Sequence, residues 1–149
     1  MEMTQKELSY ILYKHFRWMN DEEDGVRANL SNADLSNANL HGANLGGAIL
    51  CNADLSNANL SWANLTDADL SNANLTNADL RGAYFHYACL IDANLTNADL
   101  RGADLYKADL RYSNLSNADF SGTYIQDTDL RNINISNVNF SYANIYNAT

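Results

Sequence analysis

A large apolar residue occupies every fifth position from Leu30 to Ile145, without insertion or deletion. It is Leu at 18 of these 24 positions and Phe or Ile at the others, and the residue two places before it is Ala in 19 of the 24 repeats. A register kept this strictly in a polar chain must be the fold itself, because each repeat contributes one equivalent structural unit.

A period of five residues is incompatible with both regular secondary structures. On an α-helix each step of five residues advances about 140° beyond a full turn, so the apolar residues would spiral around the axis and bury nothing together. On a flat strand five is an odd number, so successive apolar residues would point to opposite faces. The chain must therefore turn once in every repeat.

A second period, of 20 residues, indicates that four repeats close one coil. The residue two places after the apolar position is Asn at a constant spacing of 20, at Asn37, Asn57, Asn77, Asn97, Asn117 and Asn137. One repeat later the same position reads Gly42, Trp62, Gly82, Gly102, Gly122 and Tyr142. We predict a four-sided coil in which Leu and Ala point inward, while the Asn or Asp between them and the corner residues face water.

The corner residues favour tight turns. A type II turn needs a positive φ at its second central residue, which Gly adopts freely and Asn tolerates. That position is Asn 11 times and Gly 5 times in the 24 repeats. Because bulky side chains cost more at positive φ, we predict a different turn at five corners, namely Trp62, Tyr87, Lys107, Tyr112 and Tyr142.

Runs such as NADLSNANL, from Asn32 to Leu40, and TNADLRGADL, from Thr96 to Leu105, repeat this unit. In them the chain resembles the pentapeptide-repeat family, whose unit is written A(D/N)LXX. The resemblance implies an all-β solenoid, a right-handed quadrilateral β-helix, which over residues 28–149 would form about six 20-residue coils. It says little about function, since the family is functionally mixed.

Residues 1–27 are predicted to form an N-terminal capping helix followed by an acidic turn. Thr4 and Glu7 have the spacing of a capping box, and His15 lies among the apolar residues that recur at helical spacing. Those apolar residues are Leu8, Ile11, Leu12, Phe16 and Met19. The helix either covers the exposed first layer of the coil or binds a partner.

The last coil ends in a large apolar layer, and the sequence stops four residues after Ile145 without a second capping segment. The layer consists of Leu130, Ile133, Ile135, Val138, Phe140 and Ile145. We expect a homodimer through this layer, because a twofold contact would bury both copies; the family resemblance implies the same. The alternative is a monomer in which Tyr142 and Tyr146 fold over the end.

The residue types do not indicate an enzyme. Ser and Asp lie at outward repeat positions, and His15, His41 and His86 are scattered. We therefore expect no catalytic residues, no metal and no cofactor. Cys51 and Cys89 are predicted to lie about 10 Å apart, too far for a disulfide. With no secretory signal and no apolar run of membrane-spanning length, the expected location is the cytoplasm.

Aromatic and basic residues decorate one side of the predicted coil and its neighbouring corner. They are Arg81, Tyr84, His86, Tyr87, Arg101, Tyr106, Tyr124 and Tyr146. Exposed Tyr and Arg are enriched at binding hot spots, so these residues form a candidate partner surface. The alternative is that the aromatic side chains only stack on one another and stabilise neighbouring coils.

Charge is distributed unevenly along the chain, whose formal net charge is −9. Residues 28–80 contain five Asp and no Lys or Arg. Such a chain repels nucleic acid, and the sequence favours a non-enzymatic protein-interaction or structural scaffold. A second hypothesis comes from the family resemblance, since some members mimic DNA and occupy the DNA site of type II topoisomerases such as gyrase.

Overall fold

The computed structural model describes residues 3–149 and contains one helix, α1, in that range, followed by a β-solenoid. The helix α1 spans Gln5–Met19. In the solenoid, single residues pair through parallel β-bridges with the residue 20 positions further along, from Asn29 with Ile49 to Tyr124 with Asn144. The 20-residue period of the sequence is therefore the spacing at which the backbone pairs.

The bridges form four ladders, which we name after their first residues: the Asn29, Asp34, Asn39 and Asn44 ladders. Each step of a ladder uses two backbone hydrogen bonds. The N–H of Leu30 donates to the carbonyl of Ile49 at 2.7 Å, and the N–H of Ile49 donates to the carbonyl of Ala28 at 3.0 Å. Repetition of this pattern pairs the backbone of every coil with the coils on either side of it.

Every fifth residue from 32 to 147, the second central residue of each corner, has a positive φ between 55° and 69°. This includes Trp62, Tyr87, Lys107, Tyr112 and Tyr142, so the prediction of a different turn at these five corners is wrong. The reason is that each corner N–H up to Asp127 also pairs with the next coil, and the corners of the last coil, Tyr142 among them, keep the same conformation. Tyr87 donates to the carbonyl of Tyr106 at 3.0 Å, as Asn77 does to Thr96 at 2.9 Å. Another turn would break this bond and shift the register of all later coils.

The Asn or Asp before the central apolar residue has a role that the sequence prediction did not include. In the central coils these side chains are half-buried, and they accept hydrogen bonds from the corner that follows them. The Oδ1 atom of Asp54 accepts the N–H of Ser56 at 3.0 Å, and the Oδ1 atom of Asn74 accepts both the N–H and the hydroxyl of Thr76, at 3.2 and 2.7 Å. The repeat therefore specifies Asn or Asp because these residues close the turn.

The interior consists of stacked layers of Leu and Ala. The central residues are fully buried from Leu45 to Ile125, and so are the inward Ala residues from Ala48 to Ala118, whereas Ala33, Ala38 and Ala43 of the first coil are partly buried. Where Thr replaces Ala, its hydroxyl is satisfied internally: Thr123 donates to the carbonyl of Phe120 and Thr128 to that of Leu105, each at 2.7 Å. The layers near the C-terminal end of the solenoid thus contain larger residues, and the hydroxyl groups of these two threonines are still hydrogen-bonded.

The helix α1 lies across the first coil. Its capping box is present: the Oγ1 atom of Thr4 accepts the N–H of Glu7 at 3.2 Å, and the carboxylate of Glu7 accepts the N–H of Thr4 at 2.9 Å. Leu8 is buried in the solenoid core, and Ile11 and Leu12 pack against it.

Phe16 does not point inward as its place in the predicted apolar set requires, since 54% of it is exposed. It lies eight residues after Leu8, which rotates it by about 80° from the inward row at 100° per residue. His15 takes the inward position instead and is completely buried.

We expect a central substitution in a buried layer to be far more damaging than one at a corner. Leu75→Lys should unfold the solenoid, because a charge would enter a dry layer without a partner and interrupt the stack on both sides. Asn77→Ala, on the exposed corner of the same repeat, should cost about 1 kcal/mol, the penalty of a non-Gly, non-Asn residue at positive φ. Thermal unfolding followed by circular dichroism measures both. Equal destabilisation would contradict the assignment of inward and outward positions.

Candidate interaction surface

A cluster of aromatic side chains lies on the Asn44 ladder and on the corner that follows it. We call it the aromatic surface, and define it as Tyr84, His86, Tyr87, Tyr106 and Lys107. The ring of His86 lies edge-on between Tyr84, at 6.3 Å, and Tyr106, at 5.8 Å; the ring of Tyr87 lies 5.8 Å from Tyr106. The rings therefore form one continuous group across two neighbouring coils.

Lys107, a member of this surface, and Asp104, which contacts it through His86, were missing from the sequence prediction. The ammonium of Lys107 lies 5.1 Å from the ring centre of Tyr106 and 5.6 Å from that of Tyr87. These contacts with the two tyrosines raise the pKa of Lys107, so the cation is retained. The Nε2 atom of His86 lies 2.8 Å from the carboxylate of Asp104, a contact that becomes an ion pair when the imidazole is protonated. The spacing of 20 could have indicated both, since each follows an aromatic residue by about one coil.

The arginines of the predicted surface, Arg81 and Arg101, lie on the preceding corner and are held by aspartates. The guanidinium of Arg81 makes two hydrogen bonds to Asp79, at 2.8 and 2.6 Å, and reaches Asp99 of the next coil at 3.7 Å. Arg101 repeats this arrangement with Asp99. Hydrogen bonds from Arg81 hold the pKa of Asp79 below its usual value. Both arginines are therefore held mainly by the aspartate of their own coil, with a longer contact to the next one, and are not free cations.

Tyr124 and Tyr146 are not joined to the cluster by ring contacts among residues 3–149. Tyr124 stands on the Asn44 ladder one step beyond Asp104, and Tyr146 follows the same column of corner residues as His86 and Tyr106. Both side chains are exposed. The structure thus places the predicted aromatic residues along one side and the two arginines at its preceding corner, and it brings only the central group into direct contact.

Two members of the aromatic surface occupy strained backbone positions. Tyr87 has a φ of 58° and Lys107 a φ of 56°, where Asn or Gly would be easier to accommodate. Tyr112, at the next corner of the square, has a φ of 63° but does not contact the cluster through its ring within residues 3–149. The coil therefore tolerates large residues at corners where they do not improve its backbone.

The C-terminal end of the solenoid carries a second apolar surface, which we call the C-terminal face. It encloses a shallow cavity of about 330 Å³ lined by Leu130, Ile133, Ile135, Phe140, Ala143 and Ile145, among others. Ile135 is 55% exposed and Ile145 60% exposed. Among residues 3–149, the backbone N–H groups of Ile135, Phe140 and Ile145 make no hydrogen bond, whereas their equivalents in earlier coils all do.

The polar side chains do not assemble a catalytic or metal site within the described residues. The Nδ1 atom of His41 lies 2.8 Å from the hydroxyl of Ser61, but that hydroxyl is also bound to Asn59, at 2.6 Å. Residues 3–149 contain no group of three or more His, Cys, Asp and Glu that could hold a metal ion. Cys51 and Cys89 are free thiols. No helix in this range has the length and apolar character needed to span a membrane.

Parallel bridges at a spacing of 20, with one corner in every five residues, define a β-solenoid built from five-residue repeats. The family described as Pentapeptide repeats matches the sequence over residues 28–67, 58–97, 88–124 and 113–149, with 8 copies. The chain belongs to the pentapeptide repeat family. No curated protein matches it in sequence.

Solved structures of similar fold are pentapeptide repeat proteins. One from the thylakoid lumen of Arabidopsis thaliana is 40% identical, with a TM-score of 0.62 over 63% of this chain and 66% of that one. Rfr23 from the cyanobacterium Cyanothece 51142 is 26% identical, with a TM-score of 0.63 over 91% of this chain and 97% of that one. QnrB1, a plasmid-mediated fluoroquinolone resistance protein, is 20% identical, with a TM-score of 0.53 over 78% of this chain and 70% of that one, a likeness of fold alone.

Proposed function

We propose that this protein is a non-enzymatic scaffold of the cytoplasm that binds a protein partner through the aromatic surface. Its predicted form is a right-handed coil of about six turns over residues 28–149, closed by a cap formed from residues 1–27. Bridging at a constant spacing of 20 supports the coil number, and the burial of Leu8 supports the cap.

The observation that carries the proposal is the exposed cluster in which Tyr87 and Tyr106 lie beside the cation of Lys107. Coil stability alone favours Asn or Gly at positive φ, and most corners have one of them. At these two corners a Tyr and a Lys are held in contact with Tyr106, with half of Tyr87 exposed. An exposed Tyr beside a cation is characteristic of binding hot spots.

Substitution of Tyr87 by Asn tests this role. We expect Tyr87→Asn to raise the stability of the coil by up to about 1 kcal/mol, because it relieves the strain at positive φ, and to weaken partner binding tenfold or more, because a hot-spot aromatic residue is lost. Affinity capture from the source cell, with quantitative mass spectrometry, identifies the partner; titration of that partner then measures binding.

The matched control is Tyr112→Asn, which relieves the same strain at a corner outside the aromatic surface. It should stabilise the coil equally and leave capture and affinity unchanged. If Tyr87→Asn stabilises the coil but every captured protein is retained with the same affinity, the aromatic surface only supports the stacking of the coils.

We also propose that the C-terminal face is a homodimer interface. This face resembles an interior layer of the solenoid from which the next coil has been removed. Ile135 and Ile145 are exposed there, and their backbone N–H groups are unpaired within residues 3–149. A twofold contact would bury Leu130, Ile133, Val138 and Phe140 as well, and it would use each of these residues twice.

Ile145→Asp should separate the dimer, because the two copies of the charge would meet near the twofold axis in a dry interface. Light scattering at high micromolar concentration measures the mass, and circular dichroism reports whether the coil remains folded. The control is Tyr142→Asp, at an almost fully exposed corner (97%) outside the cavity lining. A wild-type protein that is monomeric under these conditions contradicts the proposal, as does a folded Ile145→Asp variant that remains dimeric.

A second candidate function, a ligand or inhibitor of gyrase, is favoured by the five Asp and the lack of Lys and Arg in residues 28–80. A DNA-mimicking rod of this kind would act through charge rather than through Tyr87. Supercoiling assays with purified gyrase decide between the two. Mimicry is supported if the wild type inhibits gyrase, if Tyr87→Asn inhibits it equally, and if the double variant Asp54→Asn with Asp69→Asn inhibits it less. A wild type that does not inhibit gyrase at micromolar concentration contradicts mimicry.

A further inference from the structure

A buried histidine joins the helix α1 to the solenoid. His15 is completely buried, and its Nδ1 atom accepts the backbone N–H of Ala28, the first residue of the coil, at 3.1 Å. Because Nδ1 is the acceptor, the neutral ring carries its proton on Nε2. That Nε2 atom is also buried and makes no well-formed hydrogen bond among residues 3–149; the carbonyl of Gly46 acts on the ring, but outside hydrogen-bond geometry. The ring is thus held in its neutral form by one specific bond.

The surroundings of His15 all belong to the junction between the helix and the first coil. Trp18 stacks on the imidazole, with ring centres 5.3 Å apart and planes 12° from parallel. The guanidinium of Arg27 lies 5.9 Å from the ring centre of Trp18, and its Nε atom donates to the carbonyl of Gly47. Gly25 allows the chain to fold back here, since a Cβ atom at this position would lie 2.4 Å from the backbone nitrogen of Trp18.

Protonation of His15 would disrupt this junction in two ways. The proton on Nδ1 would point at the N–H of Ala28, so that two donors would face each other and the bond would be lost. The new positive charge would also be buried near the positive charge of Arg27. Within the described residues Arg27 is the one ionised side chain that acts on the ring; neither α1 nor the Gly46–Gly47 corner supplies a carboxylate that would neutralise the charge. A buried charge without a counter-charge is strongly unfavourable.

We propose that His15 is a proton-sensitive latch, which holds α1 on the first coil at neutral pH and releases it in mildly acidic solution. Release uncovers the first apolar layer, which includes Leu30 and Leu35, together with the backbone edge of the first coil. The solenoid itself remains folded, because its own backbone pairing does not involve α1. One end of the rod is thereby opened and closed by a single ionisation.

The direction of the effect follows from the ring's environment. Burial lowers the pKa of His15; the carbonyl of Gly46 opposes this shift, and the charge of Arg27 adds to it. A released His15 titrates near its ordinary pKa of 6.5. The docked helix therefore binds fewer protons than the released one. Its docking is fully stable above about pH 6.5 and weakens by up to tenfold per pH unit below it, until the lower pKa of the docked ring is reached.

Hydrogen exchange of the full-length protein between pH 7.5 and 5.0 tests the latch. After correction for the intrinsic pH dependence of exchange, we expect protection of the α1 amides to fall by up to about tenfold per pH unit below pH 6.5. Amides of the central coils, such as those of Leu75 and Leu95, should keep their protection. The proposal is overturned if protection of α1 relative to these coils does not change across this range.

Substitutions separate His15 from the other two histidines. His15→Gln keeps an acceptor for the N–H of Ala28 but does not titrate, so protection of α1 should become independent of pH. His41→Gln and His86→Gln should behave as the wild type. A pH dependence that persists in His15→Gln, or that disappears in His86→Gln, assigns the effect elsewhere and overturns the proposal.

Nuclear magnetic resonance of the wild type decides the matter if His15→Gln does not dock its helix at neutral pH. The ring protons of the three histidines report ionisation directly. The latch requires that the His15 ring remain neutral while α1 is protected, and that both change together. A His15 ring that becomes protonated with α1 still fully protected contradicts it.

Discussion

The positive φ at every corner is the constraint on which the rest of the structure depends. It turns the chain from one side of the square to the next and, in every coil except the last, aims the corner N–H at a carbonyl of the following coil. Four such corners return the chain to a point where it can pair with the residue 20 positions earlier. A corner in another conformation would lose its own bond and displace every later residue, which is why Trp62 and Tyr87 adopt the same φ as Asn57 and Asn77.

The remaining features of the repeat support this corner. The Asn or Asp accepts the N–H of the first corner residue, as Asp54 does for Ser56, whereas the N–H of the second pairs with the next coil. Leu and Ala fill a layer that has room for one large and one small residue on each side. Because the backbone is determined by the repeat, the outward positions can vary at little cost. Departures such as Tyr84, Tyr87 and Lys107 are therefore not required by the fold.

A stack of identical layers has two ends, and in this protein the two ends differ in how far their apolar residues are covered. At the first coil, α1 places Leu8 and His15 against the core. At the last coil, Ile135 and Ile145 stay more than half exposed and their N–H groups lack acceptors within residues 3–149. The closed end depends on a titratable side chain, whereas the open end presents apolar area and unpaired backbone. Association and regulation are thus expected at the ends and the aromatic side, not in the uniform middle.

The sequence by itself determined the repeat, the 20-residue period, the inward Leu and Ala, and the capping box of α1, because each depends on spacing along the chain. Only the tertiary structure decided how residues from different coils meet. It showed that Tyr87 and Lys107 adopt the corner conformation of their neighbours, that Lys107 joins Tyr106, that Arg81 is held by Asp79 and Asp99, and that His15 rather than Phe16 faces the coil. These outcomes depend on the pairing of neighbouring coils and on the angle at which each helical residue projects from the helix axis. Both determine the conformation more strongly than the local preference of a residue for a turn type or for an apolar position.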